Sequence, residues 1–454
     1  MNRVNPVNLA PPGPKLSFSD KLLYRPTRNP LEFFTNVQRT FGDIATYQMA
    51  GERIYLVSDP HLIKDILVTQ NRNFVKSRGL ERAKRLLGQG LLTSEDPLHL
   101  RQRRLMQPAF HRERIADYGG TMVDYGTGMR DAWQEGAVLD IAQEMTRLTL
   151  SIAGKTLFGL DVTHQAREVG AALTDMMESF WTTMLPFVDL LEWMPIPALK
   201  RSRLARARLD SIIYTMIAER RAEGARTSDR GDLLSMLLLA QDEEDANRGM
   251  SDRQVRDEAM TIFLAGHETT ANALTWTWYL VSQSEAVERR LHEELDGVLR
   301  GRTPVVDDIP RLGYVERVVT EAMRLYPPAW IIGRRAVSTY VLDRFTVAPR
   351  SILVMSPYIV QRDGRYFANP ERFDPDRWTP EFRAQLPAFA YFPFGGGPRR
   401  CIGESFAWME LVLLVATIAQ RWSLALVPGH SVEPQAVVTL RTKHGMRMTP
   451  TRRR

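Results

Sequence analysis

Residues 392–403 read FPFGGGPRRCIG, and this stretch governs the interpretation of the whole chain. Its three consecutive glycines and two prolines oppose a helix, so they predict a tight loop that gives way to a helix at about Gly403. Such a loop directs backbone N–H groups and the positive end of the helix dipole toward the sulfur of Cys401. The thiol then ionises readily and can serve as an anionic metal ligand. A lone cysteine is more often a small buried apolar residue, but the surrounding pattern favours a ligand.

The composition is that of an ordinary globular protein. The 454 residues are 44% hydrophobic and 25% charged, which excludes intrinsic disorder, a collagen and a multi-span membrane protein. The net charge of +7 is modest, and no basic run with interleaved aromatic residues points to nucleic acid. One cysteine cannot form an internal disulfide, which indicates a reducing compartment. The N-terminus has no signal peptide and no apolar run of about 18 residues follows it, so we expect a cytoplasmic protein without a transmembrane anchor.

The hydrophobic pattern predicts a mainly α chain with a small β portion. Residues 1–30 are irregular and proline-rich, and the charged, proline-rich stretch 361–391 is typical of a functional loop. The predicted strands are 43–47, 53–57, 340–347 and 352–358, and the predicted helices occupy most of 60–284, with a long one at 252–284, and then 311–325 and 403–421.

The sequence lacks the motifs that are typical of several other enzyme classes. No Gly-x-Gly-x-x-Gly follows a strand, and no two histidines have the spacing of a zinc protease. A phosphate-binding loop that ended at Lys155 would need a glycine where Thr149 stands. A nicotinamide dehydrogenase, a zinc protease and a P-loop enzyme are therefore unsupported.

The pattern from Phe394 through Gly397, Arg399 and Cys401 to Gly403 closely resembles the haem-binding loop of the cytochrome P450 family. The resemblance implies that Cys401 is the proximal ligand of the iron of haem b, iron protoporphyrin IX, as in the thiolate-ligated haem proteins of that family. It further implies that Phe394 packs near the sulfur, that Gly397 and Gly403 admit the porphyrin, and that Arg399 pairs with a haem propionate. The implied fold is an α-rich triangular prism with haem between the long central helix and the cysteine-bearing helix.

The sequence AGHETT begins at Ala265, midway along the long predicted helix. An acid beside a threonine in a helix is weak evidence alone, because threonine commonly bonds the carbonyl four residues back. The segment resembles the oxygen-binding groove of the family, which implies that Ala265 and Gly266 make room for dioxygen. Glu268 would deliver protons and Thr269 would hydrogen-bond the oxygen under reduction. His267 is expected to serve helix packing.

Two charged residues on the helix before residue 327 also have counterparts in the family. Glu321 and Arg324 form an E-x-x-R pair, which by spacing alone would indicate only a surface ion pair. The Leu-Tyr-Pro-Pro that follows, and the later Pro-Glu-Arg-Phe that contains Arg372, stand in the family's order before the cysteine loop. The resemblance therefore implies that Glu321, Arg324 and Arg372 form a buried charge network that braces the cysteine-bearing segment.

His99 and Arg103 resemble the family's helical aromatic-x-x-x-basic element, with histidine where tryptophan is common. A spacing of four places both on one helix face. They would bind one haem propionate, and Arg334 would bind the other. A solvated basic face is the competing interpretation.

The resemblance covers residues 11–445 and implies a haem-thiolate monooxygenase. Such an enzyme inserts one atom of O2 into an apolar organic substrate, by hydroxylation or epoxidation of a fatty acid, terpenoid, steroid or aromatic hydrocarbon. Residues 31–454 are expected to form a single haem domain without a fused reductase. Two electrons from NAD(P)H would then come through a separate acidic ferredoxin or flavodoxin-type protein. The basic residues expected to attract that protein are Arg101, Arg103, Arg104 and Arg400.

The substrate pocket is expected to be apolar. The residues that line it by their position in the family pattern are Leu92, Phe263, Ala265, Ala329, Trp330, Ile331 and Val438. Phe180, Trp181 and Phe187 fall in a variable helical lid. Arg53 and Tyr55, on the first hairpin, are candidates to bind a substrate carboxylate.

Two other functions stay open. A peroxide-driven peroxygenase of the same fold would need no electron donor, although the Glu268–Thr269 pair argues against it. A non-catalytic haem sensor or carrier would show no substrate-dependent consumption of NAD(P)H.

Overall fold

The computed structural model describes residues 10–16, 29–49, 51–159, 170, 172, 175, 197–222, 230–242 and 245–453. The described helices are α1 (Pro30–Phe41), α2 (Pro60–Lys64), α3 (Arg78–Leu87), α4 (Leu98–Met106), α5 (Arg112–Ala132), α6 (Ile141–Phe158), α7 (Pro197–Ala222), α8 (Leu233–Leu239), α9 (Asp252–Ser282), α10 (Glu285–Leu299), α11 (Gly313–Leu325), α12 (Pro357–Val360), α13 (Pro380–Gln385) and α14 (Glu404–Ala419).

The described strands are short. They are β1 (Ile44–Met49), β2 (Glu52–Val57), β3 (Phe74–Lys76), β4 (Leu139–Asp140), β5 (Gln241–Asp242), β6 (Asp245–Gly249), β7 (Ile332–Ala336), β8 (Tyr340–Leu342), β9 (Phe345–Val347), β10 (Ile352–Met355), β11 (Trp422–Leu426), β12 (Pro434–Ala436), β13 (Leu440–Thr442) and β14 (Arg447–Arg452). The predicted class, mainly α with a small β portion, is confirmed. No described helix is both long and apolar enough to cross a membrane.

The contacts divide the chain into two compact units, each built from two stretches of sequence. The first unit contains residues 1–81 and 323–401, and the second contains residues 82–322 and 402–454. The single haem domain of residues 31–454 stays a prediction.

The first unit is organised around a five-stranded sheet of order β1-β2-β10-β7-β3. The predicted first hairpin is confirmed, since β1 and β2 are antiparallel with Tyr47 opposite Ile54. Strand β10 lies parallel to β2, with Leu353 opposite Tyr55. The side chains of Tyr55 and Leu353 are fully buried in an apolar core. Both strands are buried over consecutive residues, as in a strand covered on both faces.

The predicted irregular stretch 361–391 contains only short helical segments, Pro375–Arg377 and α13. An aromatic cluster holds it together. The ring of Trp378 lies 4.8 Å from that of Tyr391 and 5.7 Å from that of Phe382. Such ring pairs stabilise a segment that has little regular secondary structure.

The long helix α9 is the central element of the second unit. Its start is set by a capping box, in which Ser251 and Gln254 satisfy each other's backbone N–H groups. The helix packs against α6, where the rings of Phe158 and Phe263 stack with centroids 3.9 Å apart. The predicted helix at 252–284 is therefore confirmed, with its end at Ser282.

Helix α14 begins three residues after Cys401 and is apolar over most of its length. It packs against α5, where an added Cβ on Gly126 would lie 2.8 Å from a methyl group of Leu414. The two helices therefore approach each other closely at this small residue. The second unit also has a three-stranded sheet, β11-β14-β4, and a hairpin, β12-β13.

Candidate active site

The cysteine loop has the tight geometry that its glycines and prolines predict. Residues Gly397–Arg399 form one turn of 3₁₀-helix, and the backbone N–H of Cys401 donates to the carbonyl of Phe394 at 3.0 Å. This bond closes the loop around the cysteine. The side chain of Cys401 is exposed, so its sulfur is accessible to a ligand.

Gly397 is required by backbone geometry. Its φ of +70° lies in the left-handed region, and an added Cβ would lie 2.0 Å from the carbonyl oxygen of Leu67. Leu67 belongs to a turn of π-helix, Asp65–Thr69, which packs directly on the cysteine loop. This glycine was predicted to admit a porphyrin, but the first constraint on it is the close approach of two backbone segments.

Arg324 is fully buried and braces the segment that leads to the cysteine. Its guanidinium donates to the carbonyls of Gln361 at 2.7 Å, Pro370 at 2.7 Å and Arg372 at 3.1 Å. Arg372 therefore contributes a carbonyl, and its own side chain is exposed. This corrects the predicted buried network, because a second guanidinium beside a buried cation would be repelled into water. Glu321 is fully buried, as predicted.

The middle of α9 presents an open patch on an otherwise buried helix. Ala265 is exposed, and Gly266, Glu268 and Thr269 are partly exposed. The hydroxyl of Thr269 donates to the carbonyl of Ala265 at 2.7 Å. An acid, an alcohol and two small residues therefore share one accessible face, as the sequence predicted.

Glu268 is held by the C-terminal hairpin. The hydroxyl of Thr439 donates to Oε1 of Glu268 at 2.7 Å, and the side-chain amide of Asn272 donates to that hydroxyl at 3.1 Å. Burial raises the pKa of Glu268, while the Thr439 hydrogen bond and the positive charge of Arg441 oppose the rise. The carboxyl therefore binds a proton more readily than an ordinary glutamate.

His267 serves packing, as predicted. Its ring is buried, and Nδ1 lies 2.6 Å from the carbonyl of Phe263. Burial lowers its pKa, so the neutral ring is favoured. The hydroxyl of Thr149 donates to the carbonyl of His267 at 2.9 Å and ties α6 to α9 at this level.

Two predicted pocket residues belong to the apolar core. Phe263 is 2% exposed, because its ring stacks on Phe158. Trp330 is 3% exposed, and its ring lies 6.2 Å from that of Phe34. The other predicted lining residues keep accessible side chains. These are Leu92, Ala265, Ala329, Ile331 and Val438.

Of the two residues on the first hairpin that were predicted to bind a substrate carboxylate, only one is accessible. Arg53 is exposed, but the side chain of Tyr55 is fully buried. The hydroxyl of Tyr55 lies 3.5 Å from the carbonyl of Thr346, inside the first unit. The predicted lid residues lie outside the described part of the chain. They are Phe180, Trp181 and Phe187.

The predicted propionate-binding residues are divided between the two units. His99 and Arg103 are one turn apart on α4, and His99 is buried with Nδ1 3.3 Å from a carboxylate oxygen of Asp96. Arg334, on β7 of the first unit, is 9% exposed and donates to the carbonyl of Gly333 at 3.0 Å. Arg399, in the cysteine loop, is partly exposed.

Glu410 is a buried acid that no motif in the sequence indicates. It lies on α14, is 1% exposed, and burial raises its pKa well above the ordinary value. The nearby hydroxyl of Thr270, which donates to the carbonyl of Gly266 at 3.3 Å, opposes this rise. A single acid inside an apolar run was the signal in the sequence that could have identified it.

Comparisons with known proteins identify the family. Residues 10–446 match the family model for cytochrome P450. Cyclooctat-9-en-7-ol 5-monooxygenase of Streptomyces melanosporofaciens is 37% identical over 88% of this chain and 86% of that protein. Pentalenene oxygenase of Streptomyces avermitilis is 34% identical over 94% of each chain. The crystal structure of the cytochrome P450DA heme domain matches with a TM-score of 0.88 and 26% identity over 98% of each chain.

The chain therefore belongs to the cytochrome P450 family. It is a haem-dependent monooxygenase that uses O2, with the α-rich fold of that family. The residues present fit the haem. An exposed cysteine ends a tight loop in the first unit, and α9 of the second unit offers an accessible face of small residues beside an acid and an alcohol.

Proposed function

We propose that this cytochrome P450 oxygenates a terpenoid, either a cyclic hydrocarbon or its alcohol. The observation that carries the proposal is the pair of relatives above, whose names state cyclooctat-9-en-7-ol and pentalenene as the molecules on which they act. The relatives share 37% and 34% of their residues with this chain along nearly its whole length. Of the four apolar substrate classes that the sequence left open, the terpenoid class fits both names.

The chemistry of the accessible residues expected to line the pocket supports this proposal. Leu92, Ala265, Ala329, Ile331 and Val438 are all aliphatic, so they offer no charge to a substrate carboxylate. The burial of Tyr55 removes one of the two groups that would favour a fatty acid. An aliphatic lining binds a hydrocarbon skeleton by burial of apolar surface.

Cys401 would ligate the haem iron through its thiolate. His99 and Arg103 would bind one propionate, and Arg334 and Arg399 would neutralise the propionate charges from the first unit. Gly403 begins α14 without steric conflict, since its Cβ position lies 3.7 Å from the nearest atom, in Phe110. The bound haem supplies the activation of O2 and the oxidation of the substrate.

Glu268 and Thr269 would handle the protons of the reaction. The carboxyl of Glu268 accepts protons readily because its partial burial raises its pKa. The hydroxyl of Thr269, now bonded to the carbonyl of Ala265, would turn to donate toward the oxygen under reduction. A proton donor close to the reacting oxygen favours water over peroxide as the reduced product.

Electrons would come from NAD(P)H through a separate acidic protein of the ferredoxin or flavodoxin type. Arg101, Arg103 and Arg104 give α4 a strongly basic character, and Arg104 is exposed. Arg400, in the cysteine loop of the first unit, is also exposed. Exposed cations accelerate association with an acidic partner. Arg104→Glu should therefore lower the association rate and its dependence on salt; an unchanged rate would contradict this docking role.

The test of the cysteine is the absorption spectrum of the reduced, CO-bound protein. The wild type should show a strongly red-shifted Soret band, and Cys401→Ser should lose that shift. A red-shifted band in Cys401→Ser would remove Cys401 as the ligand.

The test of the substrate is a panel of cyclic terpene hydrocarbons, their alcohols and straight-chain fatty acids. We expect spin-state shifts and oxygenated products with the terpenoids, in the presence of a ferredoxin, its reductase and NAD(P)H. Turnover of fatty acids alone would overturn the terpenoid proposal. Turnover driven only by hydrogen peroxide would favour a peroxygenase.

A further inference from the structure

The hairpin β12-β13 is anchored to α9 along a single stripe of the helix. The indole N–H of Trp276 donates to the carbonyl of Leu440 at 3.0 Å. One turn earlier, the amide of Asn272 donates to the hydroxyl of Thr439 at 3.1 Å, and another turn earlier Glu268 accepts from that hydroxyl at 2.7 Å. Residues spaced by four lie on one helix face, so the three contacts fix the hairpin turn in register with the helix.

The direction of these bonds follows from the groups involved. A side-chain amide N–H only donates, and an ionised carboxylate only accepts. Thr439 must therefore accept from Asn272 and give its single hydrogen to Oε1 of Glu268. Because Oε1 is used as an acceptor, a protonated Glu268 carries its proton on Oε2. Thr439 itself is buried, with 7% of its surface exposed.

The same hydroxyl changes the proton affinity of the acid. Burial favours the neutral form of Glu268, and the Thr439 hydrogen bond is the larger of the two effects that oppose it. The second is the positive charge of Arg441, on β13, whose Nε donates to the side chain of Gln435 at 3.0 Å. Thr439 therefore affects both the orientation of the Glu268 carboxyl and its pKa.

We propose that Thr439 is a positioning residue for the oxygenation reaction, which fixes Oε1 of Glu268 so that Oε2 is the oxygen that takes up and releases protons. The inference rests on the proposed role of Glu268 as the proton donor. Thr439 acts through Glu268 and needs no contact with the substrate. Its neighbour in the turn, Val438, is one of the accessible apolar residues expected to line the pocket. Substrate binding and proton delivery would thus share one short turn.

The decisive variant is Thr439→Val, which keeps the shape of the side chain and removes the hydroxyl. Thr439→Ser should restore the hydrogen bond. Thr442→Val, on the same hairpin, removes a buried hydroxyl that does not bind Glu268 and serves as the matched control. Glu268→Gln identifies the signals that belong to Glu268. Asn272→Leu provides a second route, because without the amide the hydroxyl of Thr439 loses its fixed orientation.

The first measurement is an infrared pH titration of the Glu268 carboxyl band, with the band assigned by its loss in Glu268→Gln. We expect the titration to move to higher pH in Thr439→Val, and less far in Asn272→Leu, while Thr439→Ser and Thr442→Val titrate like the wild type. This readout does not depend on turnover. An unmoved titration in Thr439→Val would overturn the proposal, and if that variant does not fold, an unmoved titration in Asn272→Leu would do so.

The second measurement is the ratio of peroxide formed to NAD(P)H consumed. Thr439→Val should raise this ratio several-fold with little change in substrate Kd or in the CO-bound spectrum, and Thr439→Ser should restore it. If Glu268→Gln forms peroxide but Thr439→Val does not, the positioning role fails and the proposed role of Glu268 stands. If Glu268→Gln remains fully coupled, the proposed role of Glu268 itself fails.

Discussion

Arg324 and Gln361 exchange hydrogen bonds in both directions. The guanidinium of Arg324 donates to the carbonyl of Gln361 at 2.7 Å, and the side-chain amide of Gln361 donates to the carbonyl of Arg324 at 3.0 Å. The side-chain oxygen of Gln361 also accepts from the backbone N–H of Phe392 at 3.1 Å. One fully buried glutamine thus links the end of α11 to the start of the loop that carries Cys401.

Gln361→Ala should therefore destabilise the cysteine loop. The substitution leaves the buried carbonyl of Arg324 and the N–H of Phe392 without this partner, and an unsatisfied buried group costs about 1–3 kcal/mol. We expect a loss of about 2–4 kcal/mol in the free energy of unfolding and a lower haem content after purification. Denaturant unfolding and the haem-to-protein ratio measure both. Gln385→Ala, at an exposed position of the same unit, is the control and should change neither. Full haem content and unchanged unfolding in Gln361→Ala would contradict the bracing role.

Glu410→Gln should alter how stability depends on pH. Below pH 4.5, the ordinary pKa of a glutamate, the group is protonated in both the folded and the unfolded chain. Above that pH the unfolded chain ionises while burial keeps Glu410 protonated in the folded state. The unfolded state then binds fewer protons, so rising pH costs the wild type stability until the raised folded pKa is passed. Glutamine does not titrate and removes this loss.

The measurement is the midpoint of thermal unfolding as a function of pH. The midpoint of Glu410→Gln relative to the wild type should rise as the pH increases above about 4.5. Glu293→Gln, at an exposed position of α10, should run parallel to the wild type. Parallel curves for Glu410→Gln as well would mean that Glu410 is not protonated in the folded protein.

Several elements could be predicted from the sequence because local residues determine them. The loop around Cys401, the helix α9 and the first hairpin follow from glycines, caps and apolar periodicity. The sheet of β11, β14 and β4 could not be predicted, because Met448 pairs with both Leu426 and Leu139, which lie far apart in the sequence. Strand β14 buries only Met448 and Pro450, which is too short an apolar pattern to predict a strand.

The site shows the same division between local and distant information. The acid and alcohol of α9 were predictable from one six-residue motif. The partner of Glu268 was not, because Thr439 lies on a hairpin 171 residues later. The burial of Phe263 was not predictable for a related reason. Periodicity places a side chain on a helix face, but it does not say that Phe158 of α6 covers that face.

Phe263→Ala should act on stability, while a change at Ala265 should act on substrate binding. Phe263 stacks on Phe158 in the core, and removing a buried phenylalanine ring costs about 3–5 kcal/mol. Ala265 is exposed on the same helix, so Ala265→Leu fills space without disturbing the core. We expect a large loss of unfolding free energy only in Phe263→Ala, and weaker substrate-induced spin-state shifts only in Ala265→Leu. The reverse pattern would return Phe263 to the pocket.

Gly90→Ala should lift the loop before α4 from the long helix. The loop lies on α9 through alternate backbone N–H groups: that of Gln89 donates to Asp257 at 2.8 Å, and that of Leu91 donates to Glu258 at 2.8 Å. An added Cβ on Gly90 would lie 2.2 Å from the hydroxyl of Thr261 and 2.5 Å from the carbonyl of Asp257, so the backbone must move. Leu92, which follows Leu91 in this loop, is an accessible aliphatic residue expected to line the pocket.

Amide hydrogen exchange at Gln89 and Leu91 tests this contact directly. Both amides should lose protection in Gly90→Ala, and substrate affinity should fall several-fold while the CO-bound spectrum of the thiolate-ligated haem is retained. Gly297→Ala is the matched control, since nothing lies within 4 Å of its Cβ position on α10. Alanine in the interior of a helix is favoured over glycine by about 0.5–1 kcal/mol, so this control should be neutral or more stable. If the amides of Gln89 and Leu91 stay protected in Gly90→Ala, the close approach at Gly90 is not what keeps the loop on the helix.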